Sequence, residues 1–196
     1  MGSPPAGRQD HIMPASSPPE VWLQGPIPGV PPELMPVVHS LLQVRAELVA
    51  LAARSLSSEQ LWARPGGAAS VGFHVIHLAG SLDRLLTYAR GEGLNSRQRA
   101  ALESEDSTDS TRESAALFDE ALAAVDQAIA QVRATPVETL EEARRVGRGA
   151  LPSTVRGLLF HAAEHAQRHA GQIVTTAKVV VGISSMLKDA SDMANG

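Results

Sequence analysis

Between Pro152 and Gly182 the chain carries no proline, and inside that run His161, His165 and His169 recur at every fourth position. Residues four apart share one face of an α-helix. The run therefore reads as a single helix from about Pro152-Ser153 to Val181, roughly 40 Å long at ~1.5 Å per residue, with Gly182 as its stop. Small residues (Ala162, Ala166, Ala170, Gly171) accompany the histidines. Imidazoles spaced by four can reach one metal ion. Positive charge clustered on one face would cost stability, so the rings are expected neutral, which is also the form a metal requires. His74 and His77 add a second pair, three apart.

Three further helices precede this one. Leu41, Val44, Leu48 and Leu51 follow 3-and-4 spacing in a helix that starts near Pro32-Glu33 and ends before Ser57. Pro65-Gly66-Gly67 makes 57–69 a loop, with room for a short helical turn at 58–62. Ser70 is a good N-cap for a helix to about Arg90, stopped by Gly91 and Gly93. Its apolar residues occupy more than one face, which marks it as central. Residues 94–108 are polar and read as a connection. Ser110-Thr111-Arg112-Glu113 has a capping-box pattern ahead of Phe118, Leu122, Val125, Ile129 and Val132. Residues 136–151 read as a loop.

The fold class is thus all-α: a four-helix bundle over residues 33–183, with a Pro-rich N-terminal arm at 1–32 and a loose tail at 184–196. In the arm, Val21, Trp22, Leu23 and Ile27 are apolar enough to dock. Aromatics at 3%, with Ala, Leu and Val supplying much of the apolar fraction, favour helix over sheet.

Seventeen basic against twenty-one acidic residues argue against a nucleic-acid partner, and Arg144, Arg145 and Arg148 read as a solvated loop. With no cysteine, disulfides, thiolate ligands and a cysteine nucleophile are excluded, which fits a cytoplasmic location. The opening residues show no secretory pattern, and no apolar stretch is expected to span a membrane.

His161-Ala162-Ala163-Glu164-His165 matches the His-x-x-Glu-His pattern of inverted zinc proteases. No glutamate follows Glu164 to complete such a site, so this reading is set aside. A fuller match lies elsewhere. Ser70-Val71-Gly72-Phe73-His74-Val75-Ile76-His77-Leu78-Ala79, together with the segment from His161 to Ile173, resembles the paired signatures of the DinB-like (DinB/YfiT) superfamily. The resemblance spans roughly residues 34–181.

It implies a bundle in which His77, His165 and His169 hold one divalent metal ion. His161 would stand behind the ligands; His74 could do the same or meet substrate, but is better taken as a core or rim histidine. His39 has no assigned role. Gln172 either bonds a metal-bound water or packs between helices. Arg84 either meets an anionic substrate or, preferably, pairs with a carboxylate of a neighbouring helix. Glu164 points away from His165 and is expected at the surface.

Three histidines leave coordination positions open, as catalytic sites do; Zn, Ni and Fe all suit imidazole. The family implies a homodimer and, in some members, S-transfer from a low-molecular-weight thiol. The expected function is a metal-dependent transferase using such a thiol, or a hydrolase, acting on a small molecule. The other reading is a non-catalytic, dimeric, stress-related binding module with a structural or vestigial metal.

Overall fold

The computed structural model describes residues 19–105, 107 and 112–194. Four long helices form the bundle: α1 (Met35–Ala52), α3 (Val71–Ala89), α5 (Ser114–Ala134) and α6 (Val155–Ala194). The short helices α2 (Ser58–Trp62) and α4 (Ser96–Ser104) sit in the connections. Around the bundle the order is α1, α5, α3, α6, so α3 packs on both α5 and α6 and lies diagonally opposite α1.

Each helix turns its periodic residues inward. Val38, Leu41, Val44 and Leu48 of α1, Val75, Leu78 and Leu82 of α3, and Phe118, Ala121, Val125 and Val132 of α5 are buried. On α6 the buried residues from Ala162 to Ala170 are alanines apart from His169, flanked by Leu158, Leu159 and Ile173. Small residues let α6 approach α3 closely, and this is the stretch that carries the histidines.

Start signals act as their chemistry requires. The Ser70 hydroxyl accepts from Phe73 N–H at 3.2 Å and opens α3. Ser57 and Gln60 form a capping box at α2. Trp62, at the end of α2, lies over Gly72, where a Cβ would come within 2.6 Å of the ring. Glycine at that position is what lets α2 seat on α3.

The chain departs from the sequence reading in several places. Residues 94–108 are not a plain connection: α4 is built there on a capping box between Asn95 and Gln98. The 136–151 segment and its flank form a small antiparallel hairpin, β1 (Ala143–Val146) paired with β2 (Leu151–Thr154), so α6 begins at Val155 rather than at Pro152. Gly182 does not end α6, which continues through the expected loose tail to Ala194. A single helical glycine costs only about 1 kcal/mol, and no proline follows it. Helix α5 opens at Ser114 with Glu113 as N-cap and no side-chain cap bond; Ser110 and Thr111 of the expected capping box lie outside the described residues.

Arg144 is more than a solvated charge. Its Nε donates to the Ala89 carbonyl at 2.8 Å, satisfying the C-terminal end of α3. In the arm, Ile27 and Val30 pack against the core, whereas Trp22 and Leu23 face solvent. His39 helps hold the arm in place: its Nε2 donates to the Gly25 carbonyl at 3.0 Å. By length and composition α1 and the 155–190 stretch of α6 suffice to cross a membrane, contrary to the sequence reading. In the bundle both contribute residues to the core.

Candidate metal centre

Helices α3 and α6 pack side by side, and their histidine faces meet. One ring nitrogen from each of His77, His165 and His169 lies within 4.8 Å of the others, the sole such group among the described residues. His77 Nε2 and His165 Nε2 are 2.9 Å apart. Both are near enough to reach a single ion, whose bonds to imidazole nitrogen are ~2.0–2.1 Å long. The donor set is three imidazoles with no carboxylate among them, which suits a borderline transition metal rather than calcium or magnesium.

The site is framed from one side by an acid that lies outside both motifs. His77 Nδ1 donates to Glu105 Oε2 at 2.7 Å. Arg84 donates to the same carboxylate, NH1 to Oε1 at 2.9 Å. Arg84 therefore takes the second of its expected roles, pairing with a neighbouring carboxylate. An imidazole that donates from Nδ1 to a carboxylate presents Nε2 as its lone pair, the arrangement typical of metal-bound histidine.

Glu105 reaches this position because α4 is tied down. Gln98 Nε2 donates to Thr87 Oγ1 at 2.7 Å and to Asp83 Oδ2 at 3.0 Å, pinning α4 across α3. Glu105 caps the end of that short helix. Gly80 makes room for the ion pair, since a Cβ there would lie 2.7 Å from Arg84 NH1 and 2.8 Å from Glu105 Oε1. Burial pushes the Glu105 carboxyl up, but the hydrogen bonds from His77 and Arg84 outweigh it and hold it below the usual range.

The other candidates fall in different places. His74 is buried, and its Nδ1 lies 3.0 Å from His169 Nδ1. His161 is half-exposed, with its ring 5.4 Å from that of His165 and its Nδ1 3.4 Å from Glu164. Glu164 pairs with Arg168 on the surface, as expected. Gln172 is exposed and has no hydrogen bond to the cluster. Although only three residues past His169, it is turned to solvent. His165 Nδ1 is buried with no hydrogen-bond partner.

Next to the triad lies a cleft of about 250 Å³, lined by His77, His165, His161 and Arg84 together with Leu85, Tyr88, Leu94 and Leu102. It places an apolar wall beside two of the three converging imidazoles. A larger groove of about 430 Å³ between α1 and α6 contains none of the triad.

Three of these rings, His74, His165 and His169, lean toward the neutral form. Burial lowers the pKa of His169 from 6.5 to about 4, helped by the nearby His77, His165, His74 and Arg168. His74 and His165 are lowered in the same direction, again mainly by burial. A base with a depressed folded pKa contributes stability that is complete above its unfolded value and is lost as pH falls toward the folded one. The melting temperature of metal-free protein should therefore be level above pH 6.5 and decline from pH 6.5 to 4. A level melting temperature across that interval would contradict this electrostatic picture.

Comparison with known proteins agrees with the fold. The model of the DinB superfamily matches residues 40–173. A solved structure of YfiT from Bacillus subtilis, described as a probable metal-dependent hydrolase with an unusual four-helix bundle topology, superposes with a TM-score of 0.54. The alignment covers 79% of this chain and 91% of that one at 16% identity. No curated protein matches the sequence.

Proposed function

The chain belongs to the DinB superfamily, and from that premise we propose that it is a metal-dependent enzyme acting on a small molecule. The observation that carries this reading is the convergence of His77, His165 and His169 from two helices at the edge of a cleft. Together they would hold one divalent ion; Zn, Ni and Fe all accept such ligands. When bound, that ion supplies a Lewis acid able to acidify a water or a thiol.

The remaining work belongs to the chain's own side chains. Glu105, braced by Arg84, takes the Nδ1 proton of His77 as a hydrogen bond and so aims its Nε2. Leu85, Tyr88, Leu94 and Leu102 offer an apolar seat for the substrate body, and His161 stands half-exposed at the same cleft. A half-exposed imidazole in that position is suited to general acid–base work.

Hydrolysis and thiol transfer are two forms of this chemistry. The description of the Bacillus subtilis YfiT structure supports the hydrolytic form. The absence of cysteine means that in the transfer form the thiol must come from a cosubstrate of low molecular weight.

The test is metal loading followed by a paired screen. Purified protein reconstituted with Zn, Ni, Fe or Mn should bind one of them stoichiometrically by elemental analysis and calorimetry. Ester, amide and electrophilic substrates are then screened with and without a low-molecular-weight thiol. Turnover without thiol selects hydrolase, and turnover only with thiol selects transferase. Failure to bind any of the four metals would overturn the enzyme reading.

A further inference from the structure

Two of the three converging histidines have a ring partner besides each other, and the partners differ in kind. His77 has the carboxylate of Glu105. His169 has His74, a second buried imidazole, with the two Nδ1 atoms 3.0 Å apart. His74 belongs to α3 and lies one turn before His77, so the same helix supplies both a triad member and the residue facing another.

At that separation one Nδ1 must donate and the other accept. If His169 accepted, its proton would sit on Nε2, and its remaining nitrogen would have no lone pair for an ion. If His169 donates, Nε2 is free, and His74 must carry its own proton on Nε2. Only the second arrangement leaves the Nε2 of His169 able to ligate while its Nδ1 stays bonded to His74. We propose that His74 is a positioning residue whose Nδ1 accepts the Nδ1–H of His169 and fixes His169 in the metal-binding tautomer. His74 thereby takes the part of a carboxylate or carbonyl behind a ligand histidine, without adding a negative charge. This rests on the metal-binding reading above.

The design contrasts with that at His77. A carboxylate behind a ligand raises its basicity through charge; a neutral imidazole fixes ring orientation and proton position with less electrostatic push. The centre would accordingly have one strongly supported ligand in His77 and one neutrally supported ligand in His169. His165, whose buried Nδ1 has no hydrogen-bond partner, receives neither kind of support.

The experiment compares wild type, His74→Asn and His74→Leu. Asparagine places its Oδ1 where Nδ1 stood and can still accept. Leucine fills a similar volume with no acceptor. Zn affinity is measured by competition with a chromophoric chelator, and the Co-substituted forms give a visible spectrum that reports ligand geometry. Melting of the metal-free proteins checks folding independently.

The expected result is a loss of about 10–100-fold in affinity for His74→Leu, the range typical of removing such a partner, with an altered Co spectrum. His74→Asn should recover most of both. Equal affinity in all three proteins would overturn the inference while leaving the metal site standing. Equal loss in both variants would also overturn it, since the role would then be packing. Should wild type itself bind no metal, the underlying reading falls, and this inference with it.

Discussion

Replacing His169 by alanine is expected to abolish stoichiometric metal binding, whereas replacing His161 by alanine leaves the ion in place. The two residues are equivalent by spacing, each four positions from His165 on one helix. In the structure they are not. His169 is buried at the α3–α6 contact and belongs to the converging group with His77. His161 is half-exposed at the edge of the cleft and outside that group.

The expected loss for His169→Ala exceeds the ~10–100-fold seen when only an outer partner of a ligand is removed. His161→Ala should bind metal as wild type does and lose turnover. Calorimetry on both variants decides between a site on α6 alone and one shared with α3. Metal lost from both variants would point to a site built on α6 alone and sink the shared site. Circular dichroism should show full helix in both, because neither side chain is part of the apolar core.

The largest stability effect is expected on the other side of the bundle. Phe118 is fully buried on α5, a helix that packs against α1 and α3 and lies opposite α6. Phe118→Ala removes a large ring and leaves a cavity, a change that costs about 3–5 kcal/mol. For a chain of this size each kcal/mol lowers the melting temperature by ~2–4 °C, so the drop should be on the order of 10 °C. The metal affinity of the folded variant should stay near wild type, because α5 contributes nothing to the triad. A melting temperature within about 2 °C of wild type would mean that the core does not depend on this ring as its burial suggests. A parallel loss of metal affinity would instead mean that the α3–α6 geometry depends on α5.

The contrast between these two variants mirrors what was legible beforehand. The helices around Leu41–Leu51 and Phe118–Val132 could be read because burial imposes a short period on each segment. The Ser70 cap could be read because its hydrogen bond to Phe73 is local. The His165–His169 spacing is local in the same way. Glu105 was missed for the opposite reason. It sits in a polar stretch with no apolar period, and its partners His77 and Arg84 lie 28 and 21 residues away. The one local signal nearby was the Asn95/Gln98 capping box, which announces α4 and hence a rigid delivery of Glu105.

His74 shows the same limit from within a motif. Its three-residue offset from His77 places it on the same helix but does not say which side chain of α6 it meets. That depends on the rotation and crossing of α3 against α6, set by the alanines at 162, 166 and 170 and the core residues around them.

What the sequence by itself determined is therefore whatever lies within a turn or two of helix: the four long helical segments, the Ser70 cap, and the face on which the α6 histidines stand. Only the tertiary structure decided which face meets which. The pairs His77–His165 and His74–His169 span 88 and 95 residues. Contacts at that separation follow from how the core packs as a whole, since no local period or turn signal links residues so far apart.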